Sequence, residues 1–329
     1  MRAVDLGKTI LAMSEKNIPA FIWGAPGVGK SSIVKQVATK RGIGFIDLRL
    51  ALMDPTDLKG IPFYDDEAHS ALWAPPAFLP REGEGILFLD ELNSAAPSVQ
   101  ASAYQLILDR QVGEYKLPDG WSIIAAGNRE SDRGVTYKMP SPLANRFVHL
   151  EMDVSVEDWK LWAYETKLCE SIIAYISYKP EHLFTFDAQK NNKAFATPRS
   201  WSFVDAMLKA DLDKTVLLES ISGAVGQEVA VSFLSFFKVM HKLPDLKAII
   251  ETSKGEYADE VDVLYALSSA LVSATLKDET RLDNVLTYSL GLKAEFAVLV
   301  VKDLQMSGMT MEHSSAFSEW VKKFSYLLE

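Results

Sequence analysis

Eight consecutive residues, Gly24-Ala-Pro-Gly-Val-Gly-Lys-Ser31, have the types and spacing of a loop that holds phosphate. The glycines let the backbone curl so that several N–H groups turn inward towards phosphate oxygens. Lys30 can reach the outer phosphates, and the Ser31 hydroxyl can ligate Mg²⁺. The run Phe21-Ile-Trp23 before the loop reads as a strand, and Ser32 to Thr39 reads as a helix whose N-terminus favours an anion. The candidate nucleotide-binding residues are Gly24, Ala25, Pro26, Gly27, Val28, Gly29, Lys30, Ser31 and Ser32.

A second signal is Ile86-Leu-Phe-Leu-Asp-Glu91, an apolar strand that ends in two acids. Asp90 can hold Mg²⁺, directly or through water, and Glu91 can orient and deprotonate an attacking water. Asn128 follows the strand-like run Ser122-Ile-Ile-Ala-Ala-Gly127 and can hydrogen-bond that water or the γ-phosphate. Alone, Asn128 would be an ordinary turn residue. Arg146, in Leu143-Ala-Asn-Arg146, would be a surface residue in most chains, but in an oligomer it can reach a neighbour's γ-phosphate as an arginine finger. In Ala196-Thr-Pro-Arg199, Pro198 suits a first helical turn and fixes where Arg199 points.

The elements that must position these residues follow from periodicity. Short apolar runs alternate with helical stretches up to residue 152, which predicts a parallel sheet flanked by helices. Two hairpins interrupt the pattern. One spans residues 61–73 with the polar tip Asp65-Asp-Glu-Ala-His-Ser70, and one spans 111–121 with Leu117-Pro-Asp-Gly120 as its turn. From residue 153 the pattern is helical only. Val261, Leu264, Leu267, Leu271 and Ala274 recur at helical spacing, as do Phe317, Trp320, Val321, Phe324 and Leu328, and both stripes read as packing faces. Lys254-Gly-Glu256 marks a break. The expected division is an α/β nucleotide-binding core over 1–152, a helical lid over 153–253 and a C-terminal helical region over 254–329.

Composition narrows the function. The net charge is −10, with 16 basic and 18 acidic residues through residue 152 and 18 and 26 beyond it. That balance lacks the basic face that duplex DNA demands. The single cysteine, Cys169, excludes an internal disulfide and reads as a small buried hydrophobe. No apolar run is long enough to span a bilayer, so a soluble cytoplasmic protein is expected.

Taken in order, Gly24–Ser31, Leu89-Asp-Glu-Leu-Asn93, Gly127-Asn128, Leu143-Ala-Asn-Arg-Phe147 and Thr197-Pro-Arg199 resemble the AAA+ ATPases, in particular the MoxR-like branch. The two hairpins fit the same pattern. The resemblance implies an AAA+ core with a five-stranded parallel sheet, two β-hairpin insertions, an all-α lid and a C-terminal helical region. It implies ATP and Mg²⁺ as ligands, with Lys30 and Ser31 serving phosphate and metal, and Asp90 and Glu91 metal and water. Asn128 would be the sensor 1 residue, Arg146 the trans-acting finger and Arg199 the sensor 2 residue. It further implies a hexameric ring with ATP at subunit interfaces, and a protein partner of the kind that bears a von Willebrand A domain. Two departures matter. Asn145 stands where many members carry an acid, and Arg129 and Arg133 compete with Arg146 for the finger role. Residues after about 210 match no pattern of the branch.

The leading expectation is therefore an ATP-driven motor that remodels or activates a protein partner. A nucleic-acid motor of helicase or loader type is disfavoured by the acidic charge and by the absence of a basic-aromatic cluster. An ATP-dependent scaffold with little turnover would have no need of Glu91.

Overall fold

Apolar runs bounded by turn residues become the strands of one sheet. The computed structural model describes residues 1–67, 69–132, 136–190, 192–210 and 212–327. They form two compact units, Met1–Ser155 with Asp187–Lys190, and Val156–Phe186 with Asn191–Glu329.

The first unit runs α1 (Ala3–Glu15), β1 (Ala20–Trp23), α2 (Lys30–Arg41), β2 (Gly44–Arg49), α3 (Pro55–Lys59), β3 (Ile61–Asp65), β4 (Ser70–Ala74), β5 (Gly85–Asp90), α4 (Pro97–Asp109), β6 (Gln111–Val112), β7 (Tyr115–Lys116), β8 (Trp121–Gly127), α5 (Ser141–Ala144) and β9 (Val148–Glu151). Five strands pair in the order β2-β5-β8-β1-β9, every pair parallel. The inner strands are apolar on both faces because helices cover both. Alternate residues Leu87, Leu89, Ile123 and Ala125 join the core formed with Val99, Ala103 and Leu106 of α4. On the other face, α1 packs against β8 and α2 against β5. The C-terminal ends of β1, β5 and β8 therefore lie at one edge of the sheet, where such folds bind ligands.

The expected hairpins are β3–β4, with Asp65 opposite Ser70, and β6–β7. The second turns at a different place from the one expected. Val112 pairs with Tyr115, so Gly113 and Glu114 make a two-residue turn, and Gly113 has φ +57°. Leu117-Pro-Asp-Gly120 instead carries the chain from β7 into β8, and the Trp121 N–H donates to the Pro118 carbonyl at 3.0 Å.

The second unit holds α6 (Val156–Glu165), α7 (Glu170–Tyr178), α8 (Pro198–Lys209), α9 (Lys214–Val225), α10 (Gln227–Phe237), α11 (Leu246–Thr252), α12 (Val261–Lys277), α13 (Leu282–Ser289), α14 (Ala294–Met306) and α15 (Ser315–Phe324). The Lys254 break is the loop between α11 and α12, and the helices on either side of it belong to the same unit. Helix α12 is more enclosed than a single stripe predicts, since every residue from Ala266 to Thr275 is buried. Its Ala, Ser and Thr positions permit neighbours to approach on the faces the stripe leaves out. Of the second stripe, Trp320 and Phe324 are buried, and Leu328 lies outside the described residues. A buried ion pair, Lys160 Nζ to Asp303 Oδ2 at 2.6 Å, ties α6 to α14, and the Tyr164 hydroxyl donates to the same carboxylate at 3.1 Å. Burial, then Asp205, pushes the Cys169 thiol up to about 12, which keeps it protonated and unreactive. Among the described residues no helix is long and apolar enough to cross a membrane.

Candidate functional site

The phosphate loop fills the gap between β1 and α2. Gly27 and Gly29 have φ of +78° and +104°, which side-chain-bearing residues rarely adopt. A Cβ on Gly29 would meet nothing within 4 Å, so the backbone there faces open space. That is the geometry a phosphate cradle requires. Gly29 is the N-cap of α2, and its carbonyl accepts from the Ile33 N–H at 3.1 Å. Lys30 and Ser31 thus lie in the first helical turn, near the positive end of its dipole.

Lys30 already gathers the site. Its ammonium donates to the carbonyls of Gly24 at 2.7 Å and Ala25 at 3.1 Å, and to Asn128 Oδ1 at 3.0 Å. The phosphate loop and the tip of β8 are therefore in direct contact. The backbone adds a second link, from the Gly24 N–H to the Gly127 carbonyl at 3.4 Å.

The acidic pair stands at the tip of β5, next to β8. Asp90 and Glu91 are both half-buried, and Asp90 Oδ1 accepts from the Glu91 N–H at 3.0 Å. Glu91 has φ +56° and opens a tight turn over Leu92–Ser94, its carbonyl accepting from the N–H groups of Ser94 and Ala95. A non-glycine residue in this region costs about 1 kcal/mol and commonly marks a working site. In the same turn Asn93 is buried, and its amide donates to the Asn128 carbonyl at 2.8 Å.

One neighbour of this edge carries no motif. Asp47 lies on β2, two residues before Arg49, the partner of Asp90 in the strand register. Although the residue as a whole is exposed, loss of hydration at its carboxyl, followed by repulsion from Asp90, raises its pKa. Its folded-state value then exceeds the unfolded one, so the native form binds more protons and stability falls as pH rises between the two values. Asp47→Asn is therefore expected to raise Tm at pH 7, with the gain vanishing below roughly pH 4, the range of an unperturbed carboxyl. Thermal melts of parent and variant at both pH values check this, and equal Tm at pH 7 would refute it.

The two arginines are placed separately. Arg146 follows α5 and precedes β9, the edge strand beside β1. It is exposed, and its guanidinium bonds no described residue. Its loop is braced from the site side. The Trp23 indole donates to His149 Nδ1 at 2.9 Å, and His149 Nε2 lies 2.9 Å from the Ala144 carbonyl. An indole can only donate, so Nδ1 accepts and Nε2 carries the proton that bonds Ala144. Of the competitors, Arg129 is occupied within its own chain, with Nε 3.0 Å from Glu151 Oε2 and Nη2 3.4 Å from Asp153 Oδ1. Arg133 lies outside the described residues. Arg199 is in the second unit, exposed in the first turn of α8. Thr197 caps that turn, its side chain accepting from the Ser200 N–H while Ser200 Oγ accepts from the Thr197 N–H.

Residues 20–149 match the ATPase family associated with various cellular activities. Midasin of Giardia intestinalis is 29% identical over 170 residues, 48% of this chain and 4% of that protein. Protein MoxR of Methylorubrum extorquens is 28% identical over 141 residues, 41% of this chain and 39% of that protein. The chain thus spans well under two thirds of the length of either relative. Among solved structures, the RuvB Holliday junction branch migration motor of Thermotoga maritima aligns over 85% of each chain with 18% identity and a TM-score of 0.40. The residues that match this family, 20–149, include the glycine loop after β1 and the acidic pair at the tip of β5, both at one edge of the parallel sheet.

Proposed function

We propose that the chain hydrolyses ATP as one subunit of a ring and uses the cycle to remodel or activate a protein partner. The observation that supports this most is the convergence of Lys30, Asn128 and the Asp90-Glu91 pair at one sheet edge, joined by the Lys30–Asn128 bond. Gly24 through Ser32 bind the triphosphate, and Lys30 exchanges its carbonyl and amide acceptors for phosphate oxygens. Glu91 takes the proton of the attacking water, and Asn128 orients that water or the γ-phosphate. Ser31 and Asp90 are the residues that would hold Mg²⁺, which neutralises charge on the phosphates when bound. Arg146 serves the neighbouring subunit, and Arg199 reports nucleotide state to the helical unit. The expected assembly is a hexamer in the cytoplasm, and the expected partner carries a von Willebrand A domain.

Phosphate release measured with Mg²⁺, with chelator, and with added single- or double-stranded DNA tests the reading. Turnover that needs Mg²⁺ and ignores DNA is expected. Stimulation of turnover by DNA of roughly tenfold or more, about 1.4 kcal/mol off the activation barrier, would turn the assignment to a nucleic-acid motor. No turnover at all would leave a nucleotide-dependent scaffold.

A further inference from the structure

Asn93 is the least explained polar group near the site. It is 2% exposed, and its amide nitrogen donates to the backbone carbonyl of Asn128. That carbonyl can only accept, which fixes the amide with Nδ2 towards Asn128 and Oδ1 the other way. Oδ1 is then buried without a hydrogen-bond partner among the described residues. It faces Gly127 so closely that a Cβ there would lie 2.0 Å from it. A buried acceptor without a partner is costly, and a Leu or Met side chain would fill the same space without that cost. Packing therefore does not account for an amide here.

Its connections do. Asn93 stands in the turn that Glu91 opens, and the Asn93 carbonyl also accepts from the Tyr137 N–H at 2.7 Å. Across the gap between the tips of β5 and β8 its amide grips the carbonyl of Asn128, whose side chain in turn accepts from Lys30. The acidic turn, the Asn128 backbone and the phosphate-loop lysine form one bonded chain. Gly127 leaves the room that lets the amide enter.

We propose that Asn93 is a positioning residue for hydrolysis, locking the Asn128 amide at a fixed place relative to Glu91. The proposal rests on the reading of Asn128 given above. It assigns Asn93 no contact with nucleotide, so the effect falls on turnover and leaves binding alone.

The test measures kcat by phosphate release and ATP affinity with a fluorescent ATP analogue. The proteins are the parent, Asn93→Ala, Asn128→Ala and the double variant. Asn93→Ala is expected to lower kcat by roughly ten- to a hundredfold, the scale of a small misplacement of a reacting group. Its Kd should stay within about twofold of the parent, because uniform binding is untouched. In the Asn128→Ala background the same change should cost less than about twofold, since residues acting as one unit are not additive. Asn93→Asp, of the same shape, removes the donor. Its defect should shrink as pH falls, because a protonated carboxyl can donate again. Gly127→Ala reaches the amide from the opposite side and should lower kcat while retaining Kd. Should Asn93→Ala fail to fold, these two variants decide.

Parent kcat for the Asn93 variants beside an impaired Asn128→Ala would overturn the proposal alone. Equal losses from Asn93→Ala in both backgrounds would reduce Asn93 to a structural role. Parent turnover in Asn128→Ala itself would overturn this proposal together with the assignment of Asn128, leaving Lys30 and Glu91 in place.

Discussion

Glu91→Gln is expected to bind ATP as the parent does and to turn it over at least about a hundredfold more slowly, the usual worth of a positioned general base. The substitution keeps the shape of the side chain and removes only its basicity. It also spares the local fold, because Glu91 serves the turn over Leu92–Ser94 through its backbone carbonyl, which Gln retains. Gln also tolerates φ +56° no worse than Glu does. Lys30→Ala should behave differently, since the ammonium belongs to the phosphate loop and its loss weakens binding first. Titration with a fluorescent ATP analogue beside phosphate-release kinetics separates the two. Hydrolysis by Glu91→Gln at the parent rate would show that the carboxylate after β5 is not the base.

Arg146→Ala should cost about a thousandfold or more in turnover, as fingers do in other phosphoryl-transfer enzymes. Within its own subunit the guanidinium is exposed and bonds no described residue, so a role elsewhere is the economical one. Arg129 makes the contrast, being held by Glu151 and Asp153 of the same chain. Mixing inactive Arg146→Ala with inactive Lys30→Ala decides the matter. A finger acting in trans leaves some interfaces with an intact loop on one side and an intact Arg146 on the other, and activity returns. If Arg146 acts in its own subunit, the mixture stays as inactive as its parts. Recovery with Arg133→Ala in place of Arg146→Ala, and none with Arg146→Ala, would move the finger to Arg133.

The residues proposed to meet phosphate were legible because that chemistry demands fixed types at fixed local spacing. Gly24 to Ser31 and the Asp90-Glu91 pair needed only a strand before them, and both strands were apolar enough to be read. The sheet was legible for the same reason, since β5 and β8 are continuous apolar runs. What the sequence hides is contact between distant segments. The bond from Lys30 to Asn128 spans 98 positions, and that from Asn93 to Asn128 spans 35. Neither leaves a local trace, although Asn93 stands in the motif that carries the resemblance. Asp47 has no motif at all, and its raised pKa comes first from loss of hydration at its carboxyl and then from Asp90 one strand over. The turn of the second hairpin was misplaced because Pro118 and Gly120 signal a turn more strongly than Gly113 and Glu114 do, and both turns exist.

The enclosure of α12 bears on how this chain can be divided. Helix α7 packs along α12, and Ile172, Ile173, Ala174, Tyr175 and Ile176 are all buried. A fragment ending in the Lys254 loop would strip that cover from the face of α7 that meets α12 and present it to water. The complementary fragment would carry α12 with the face that α7 covers laid bare, while α13 and α14 still cover the rest. Each half would be sticky, and a split reporter made at this loop would reassemble its halves unaided, before any partner brought them together.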